Sequence, residues 1–128
     1  MGRKQHIGPY QVFTNADMSQ VQLISEISNC FGVDSIEYHV NYSGGQVTTN
    51  GDISVQKCLD LVVTASSTWY DLPINGVLTT ANTDGATDEL IILITEVTFP
   101  NIRMVYNQTN VASTGSLSAK LTASTKGA

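Results

Sequence analysis

Hydrophobic side chains recur at every second position through much of this chain, in short runs separated by turn formers. From Ser35 to Tyr42 the alternation is clean: Ile36, Tyr38, Val40 and Tyr42 share one face, and Glu37, His39 and Asn41 share the other. A period of two places one face of a strand in a core and the other in water. Asp52–Gln56 alternates again through Ile53 and Val55, and the Ser43-Gly-Gly-Gln46 turn before it suggests that the two runs form a hairpin. Near the C-terminus, Ile102, Met104 and Tyr106 alternate with Arg103, Val105 and Asn107, and a spacer from Gln108 to Ser116 leads to Leu117-Ser-Ala-Lys-Leu-Thr122. This last pair is expected to close a sandwich, with Ile102, Met104, Tyr106, Leu117, Ala119 and Leu121 forming one wall of its core.

Other stretches are less regular. Tyr10–Thr14 is β-prone, and Asn15-Ala-Asp17 reads as a turn. Met18–Ile27 fits a helical face and a bent strand about equally, and its Val and Ile content favours strand. Cys58–Thr64 reads as a continued strand with a bulge near Val62. Thr68–Leu72 is a short strand stopped by Pro73, and its Trp69 is expected to fill the core between two sheets. Ile74–Thr87 is loop-like, with turn signals at Asn75-Gly76 and Asp84-Gly85. The unbroken apolar run Leu90–Ile94 predicts a strand covered on both faces. Residues 1–9, with two Gly, one Pro and no periodicity, read as a flexible arm ahead of a single domain over residues 10–128. The expected fold is thus all-β, an antiparallel β-sandwich of about seven or eight strands with an extended N-terminal arm.

Composition narrows the chemistry. Only 13% of the residues are charged, against about 25% in an average domain, so the surface is polar but largely neutral. The net charge is −5, and between Gly8 and Ala119 only Lys57 and Arg103 oppose all eleven acids. Such a body repels phosphate backbones, which argues against nucleic-acid binding. No window has the ~18 apolar residues needed to span a membrane, and the N-terminus lacks the apolar core of a signal peptide. Synthesis as a soluble product in the cytoplasm is the corresponding expectation.

Candidate catalytic groups do not converge in the sequence. His6 lies in the arm and His39 on the polar face of a strand. Asp84, Asp88 and Glu89 cluster near one loop but match no calcium-loop spacing. The serines occupy Ser/Thr-rich turns with no nucleophile elbow. Neither catalysis, nor a metal, nor a cofactor is expected. Cys30 and Cys58 match no zinc or redox spacing, so they read as two buried or half-buried thiols, with a disulfide between them, or one linking neighbouring subunits in an oxidising medium, as the alternative. Candidate partner contacts are Arg3, Lys4 and His6 in the arm, and Tyr10 at its root.

The order of several blocks carries a resemblance. Ile53-Ser-Val-Gln56, Thr68-Trp-Tyr-Asp-Leu-Pro73, Phe99-Pro-Asn-Ile-Arg-Met-Val-Tyr106 and Thr114-Gly-Ser-Leu-Ser-Ala-Lys-Leu121 follow one another as in small β-sandwich proteins of tailed bacteriophages, over residues 35 to 126. The sequence departs from that pattern by inserting Cys58–Ala65 where the family has a short turn. The resemblance implies a virion structural role of head decoration or minor capsid type, stabilising the shell through contacts with the major capsid protein or other virion proteins. A neck, collar or tail component is the nearest alternative. Such pieces are usually symmetric homo-oligomers, and a trimer at a threefold position is the natural expectation. Outside the virion, the competing reading is a carbohydrate-binding module that stacks sugars on Trp69, Tyr38, Tyr42, Tyr70 and Tyr106.

Overall fold

The computed structural model describes residues 5–44, 49–74, 81–84, 87–109 and 114–125. Among them the chain forms ten strands: β1 (Gln5–Asp17), β2 (Gln22–Ile24), β3 (Ser28–Asn29), β4 (Ser35–Ser43), β5 (Thr49–Cys58), β6 (Tyr70–Asp71), β7 (Ala81–Asp84), β8 (Thr87–Ile94), β9 (Asn101–Gln108) and β10 (Ser116–Thr125). They build two antiparallel sheets packed face to face. One has the order β1-β10-β4-β8; the other has the order β2-β9-β5-β6, with β3 also paired to β9 and β7 to β5. The chain is therefore an all-β sandwich, as its alternation indicates. Among the described residues no helix is long and apolar enough to cross a membrane.

The inner faces follow the period of two. β4 contributes Ile36, Tyr38, Val40 and Tyr42, and β10 contributes Leu117, Ala119, Leu121 and Ala123 from one sheet; β5 gives Ile53 and Val55 and β9 gives Ile102, Met104 and Tyr106 from the other. Burying such side chains supplies about 1.5–3 kcal/mol each. The C-terminal pair thus lines the core as expected, but not as one wall: β9 and β10 lie in different sheets and face each other across it. The expected hairpin between the runs at 35–42 and 52–56 is not formed either, because β4 and β5 also belong to different sheets. Alternation specifies a buried face, and both sheets offer one.

Three further expectations change. In β8 only Ile92 and Ile94 are buried, while Ile91 and Leu93 are 49% and 41% exposed, because β8 is the end strand of its sheet and its outer face is not covered as the apolar run suggested. Of Met18–Ile27 only Gln22–Ile24 is strand; Met18 instead plugs the core. Gln5–Pro9, expected in the arm, are the first part of β1, where Gln5, His6 and Ile7 pair with Thr125, Ser124 and Ala123. Residues 1–4 lie outside the described residues. Gly8, at φ 98°, makes the first register shift of β1 feasible, since a Cβ there would meet the Leu121 carbonyl oxygen at 2.7 Å.

Two buried tyrosines face the core from opposite sheets. The Tyr106 hydroxyl donates to the carbonyls of Met18 (3.3 Å) and Asn50 (3.2 Å), whereas the Tyr38 hydroxyl has no hydrogen-bond partner among the described residues. Tyr106→Phe is expected to cost about 1 kcal/mol in urea unfolding, and Tyr38→Phe clearly less or nothing. Gly51 lies against the Tyr106 ring, where an added Cβ would approach Cε1 to 2.6 Å and also meet the Asn107 carbonyl. Gly51→Ala should therefore lower stability by about 1–3 kcal/mol, measured as a lower urea midpoint at unchanged m-value.

Candidate interaction surface

Among the described residues no three His, Cys, Asp or Glu side chains come together to hold a metal ion. His39 and Glu89 meet at 2.9 Å across β4 and β8 on the exposed outer face of the sheet, where Lys120 stands opposite His39 in register, and they form an exposed surface pair. The features able to do work are surfaces, and two stand out.

The first lies where the edges of the two sheets approach each other. β1 is the outer strand of one sheet, and the β2–β3 segment is the outer border of the other. Between them runs a groove of about 400 Å³, with Val12, Val33, Leu121 and Ala123 at its base. Tyr10 and Phe31, 57% and 65% exposed, stand along it together with the exposed Ile27 and the carboxylate of Glu26. Local structure explains the exposure. β1 follows three register shifts, so it does not close onto the other sheet, and β2 and β3 are interrupted at Ser25–Ile27, where Ser25 turns its hydroxyl inward to accept from the Met104 amide at 2.8 Å.

The second surface is the segment 59–69, which joins β5 to β6 and carries no strand. It crosses the outer face of the second sheet and covers Cys58 and Val105, which are buried yet stand apart from the core between the sheets. It is fastened to β9 at two points: the Asn101 side-chain amide donates to the Asp60 carbonyl at 2.6 Å, and the Trp69 ring stacks on the Arg103 guanidinium at 4.0 Å, while Thr64 and Ser67 close a turn within the segment. Arg103 donates from Nε to Gln56, and Gln56 donates to Asp71. Burial of that guanidinium lowers its pKa from the ordinary value. Leu59, Leu61 and Val62 point to solvent from this strap.

These positions answer the sequence expectations individually. Tyr10 lines the groove and is available to a partner. His6 is placed by its backbone pairing with Ser124, and Arg3 and Lys4 fall outside the described residues. Trp69 is not between the sheets but half-buried on an outer face, because strand β6 begins only at Tyr70 and the segment ahead of it runs over the sheet. The stretch 58–64 continues as strand only to Cys58. Phe31, Ile27 and Glu26 escaped the sequence reading altogether; an aromatic in a short irregular stretch beside Gly32 was the available signal.

The two cysteines are free and buried. Asn101 of β9 pairs with Asn29 on one side and Cys58 on the other, so two strand spacings, about 9–10 Å, already separate Cys58 from the residue next to Cys30. A disulfide needs Cα atoms within about 7 Å. The two thiols also lie on opposite faces of the sheet, Cys30 inside the core and Cys58 under the strap. The alternative of an intrachain disulfide is therefore not realised. Cys30 donates its thiol proton to the Phe99 carbonyl at 3.1 Å, and desolvation pushes its pKa up to about 11.

The sequence matches no known family profile and no curated protein. The fold does have counterparts among solved structures. It is similar to the SPBc2 prophage-derived protein YomS, at 11% identity and a TM-score of 0.58, over 98% of this chain and 96% of that one. It is also similar to part of a chain in the structure of infectious bursal disease virus Gx strain, at 12% identity and a TM-score of 0.54, over 97% of this chain and 32% of that one. A third likeness, at 7% identity and a TM-score of 0.51, is to 13% of dimeric latent PorU from Porphyromonas gingivalis, over 97% of this chain. At these identities the likeness is one of fold.

Both thiols should resist an aromatic disulfide reagent at pH 8 in the native protein and react completely after unfolding. Because the Cys30 pKa is raised on folding from 9.0 to about 11, the folded state binds more protons than the unfolded one between those values. Stability should then be complete below pH 9 and fall as pH rises towards 11, and Cys30→Ala should flatten that part of the profile.

Proposed function

We propose that this chain is a structural component of a phage virion, and within the virion a head decoration or minor capsid protein. It binds the shell as a homo-oligomer, a trimer at a threefold position, and bridges major capsid subunits. One observation carries the reading: the whole sandwich, end to end, superposes on a prophage-derived protein, and each chain covers nearly all of the other. The likeness to part of a virus chain points the same way. Surface chemistry supports a binding role over a catalytic one. Exposed apolar side chains collect along one sheet edge and on the strap at 59–69, and such patches mark interaction sites.

A decoration protein acts by tying neighbouring subunits together, and the sandwich suits that task. Its strands are rigid and its contacts are carried on edges and loops. Arg3 and Lys4 remain candidate contacts, adjacent in sequence to the strand that carries Tyr10. Carbohydrate stacking is the less favoured role, since the Arg103 guanidinium occupies one face of the Trp69 ring.

The reading is tested on purified particles by mass spectrometry and by gold-labelled antibody. Label over the head is the expected result; label at the neck or tail would replace decoration with a connector role, and absence from particles would overturn the virion reading. Deleting residues 1–4 is the informative truncation, since a longer deletion removes part of β1. The shortened chain should keep its melting temperature and co-sediment less with heads. Added oligosaccharide is expected to leave the Trp69 emission unchanged, and saturable quenching would favour the carbohydrate reading.

A further inference from the structure

The groove between β1 and the β2–β3 segment combines three kinds of group. Its base is apolar, Tyr10 and Phe31 are exposed along it, and Glu26 is the one charged residue that lines it among the described residues. None of the described residues gives the Glu26 carboxylate a hydrogen bond or an ion pair. Aromatic faces attract cations, and a carboxylate beside them strengthens that preference. Among the described residues, no cation lines the groove.

The rest of the surface shows what this chain does when it has one. Of the three Lys and Arg side chains described, Arg103 lies over Trp69 at 4.0 Å and Lys57 over Phe99 at 5.7 Å. The third, Lys120, lies on the outer face of the first sheet, opposite His39 and Gln11 in register, and does not line the groove. Two aromatic residues and an acid thus stand together, and none of the described cations reaches them, whereas Trp69 and Phe99 each receive one.

We propose that this groove is a docking site for an extended segment of another protein, one that presents a lysine or arginine flanked by aliphatic side chains. The cation lies between Tyr10, Phe31 and Glu26, and its aliphatic neighbours fill the apolar base. Sheet edges are where extended segments bind, because alternate side chains enter the groove while the backbone follows the strand. Nucleic acids and other anions are disfavoured by Glu26, and the acidic body of the chain draws a basic segment towards it. The inference does not depend on a virion role. Absence from particles would leave it intact, and its own failure would leave the virion reading intact.

The test uses the full chain, labelled with nitrogen-15, and two short capped peptides. One alternates valine with lysine and arginine; the other has glutamate in place of both cations. The cationic peptide should shift the backbone amides of Tyr10, Glu26, Ile27 and Phe31 saturably, and the acidic peptide should not. Glu26→Gln should weaken binding about threefold, the size of one exposed ion pair, and Phe31→Ala by a similar factor. Both side chains are exposed, so the variants should melt with the wild type, and added salt should weaken the wild-type complex more than the Glu26→Gln complex. The proposal is overturned if neither peptide binds, if both bind equally, if the shifts map elsewhere, or if the double variant binds as tightly as the wild type.

Discussion

Much of the sandwich depends on how Tyr106 is held. Its ring lies in the core against Gly51, and its hydroxyl donates to the carbonyls of Met18 and Asn50. Met18 is the residue at which the chain leaves β1 in one sheet to enter β2 in the other, and its amide donates to the Gly115 carbonyl just ahead of β10. Gln108 adds donations to the carbonyls of Met18 and Ser19. Side chains of β9 therefore satisfy the Met18 carbonyl at the crossover, which if left buried and unpaired would cost about 1–3 kcal/mol. The absence of a side chain at Gly51 lets the ring sit close enough to do this.

With that end fastened, the edges of the two sheets are free to differ. β1 is irregular, shifted in register three times and marked by Gly8 and Pro9, features that discourage unspecific strand pairing. The same irregularity keeps the edge from closing over the core and leaves the groove between Tyr10 and Phe31. On the outer face of the second sheet the opposite occurs: the strap at 59–69 covers Cys58 and Val105 and turns its own aliphatic side chains outward. Both surfaces come from chain that is not regular strand, and both rest on regular strands beneath. This is the usual division between a rigid scaffold and the loops that bind.

Charge completes the division. Two of the three described cations are engaged by the protein's own aromatics, Arg103 by Trp69 and Lys57 by Phe99, while several carboxylates face solvent. A surface of this kind is complementary to basic segments and repels polyanions at the same time. Arg103 serves two purposes, since it fastens the strap through Trp69 and orders Gln56 and Asp71 on the sheet. Trp69 therefore acts as a structural clamp on an outer face, a role that its β-prone neighbours in the sequence do not suggest.

The sequence by itself determined the strands that alternate. Ser35–Tyr42, Asp52–Gln56, Asn101–Gln108 and Leu117–Thr122 each announce one buried and one solvated face, because the strand repeat is two residues and needs no tertiary context to be seen. It also determined the all-β class. Only the tertiary structure decided which sheet each strand joins, since a buried face is the same signal in either sheet and the pairings join residues far apart in the chain. That choice put β9 and β10 on opposite walls, left Ile91 and Leu93 half-exposed on an end strand, and separated Cys30 from Cys58 by a sheet. It also created the groove, because Tyr10, Glu26 and Phe31 are brought together by two sheet edges that meet only when the sandwich is formed.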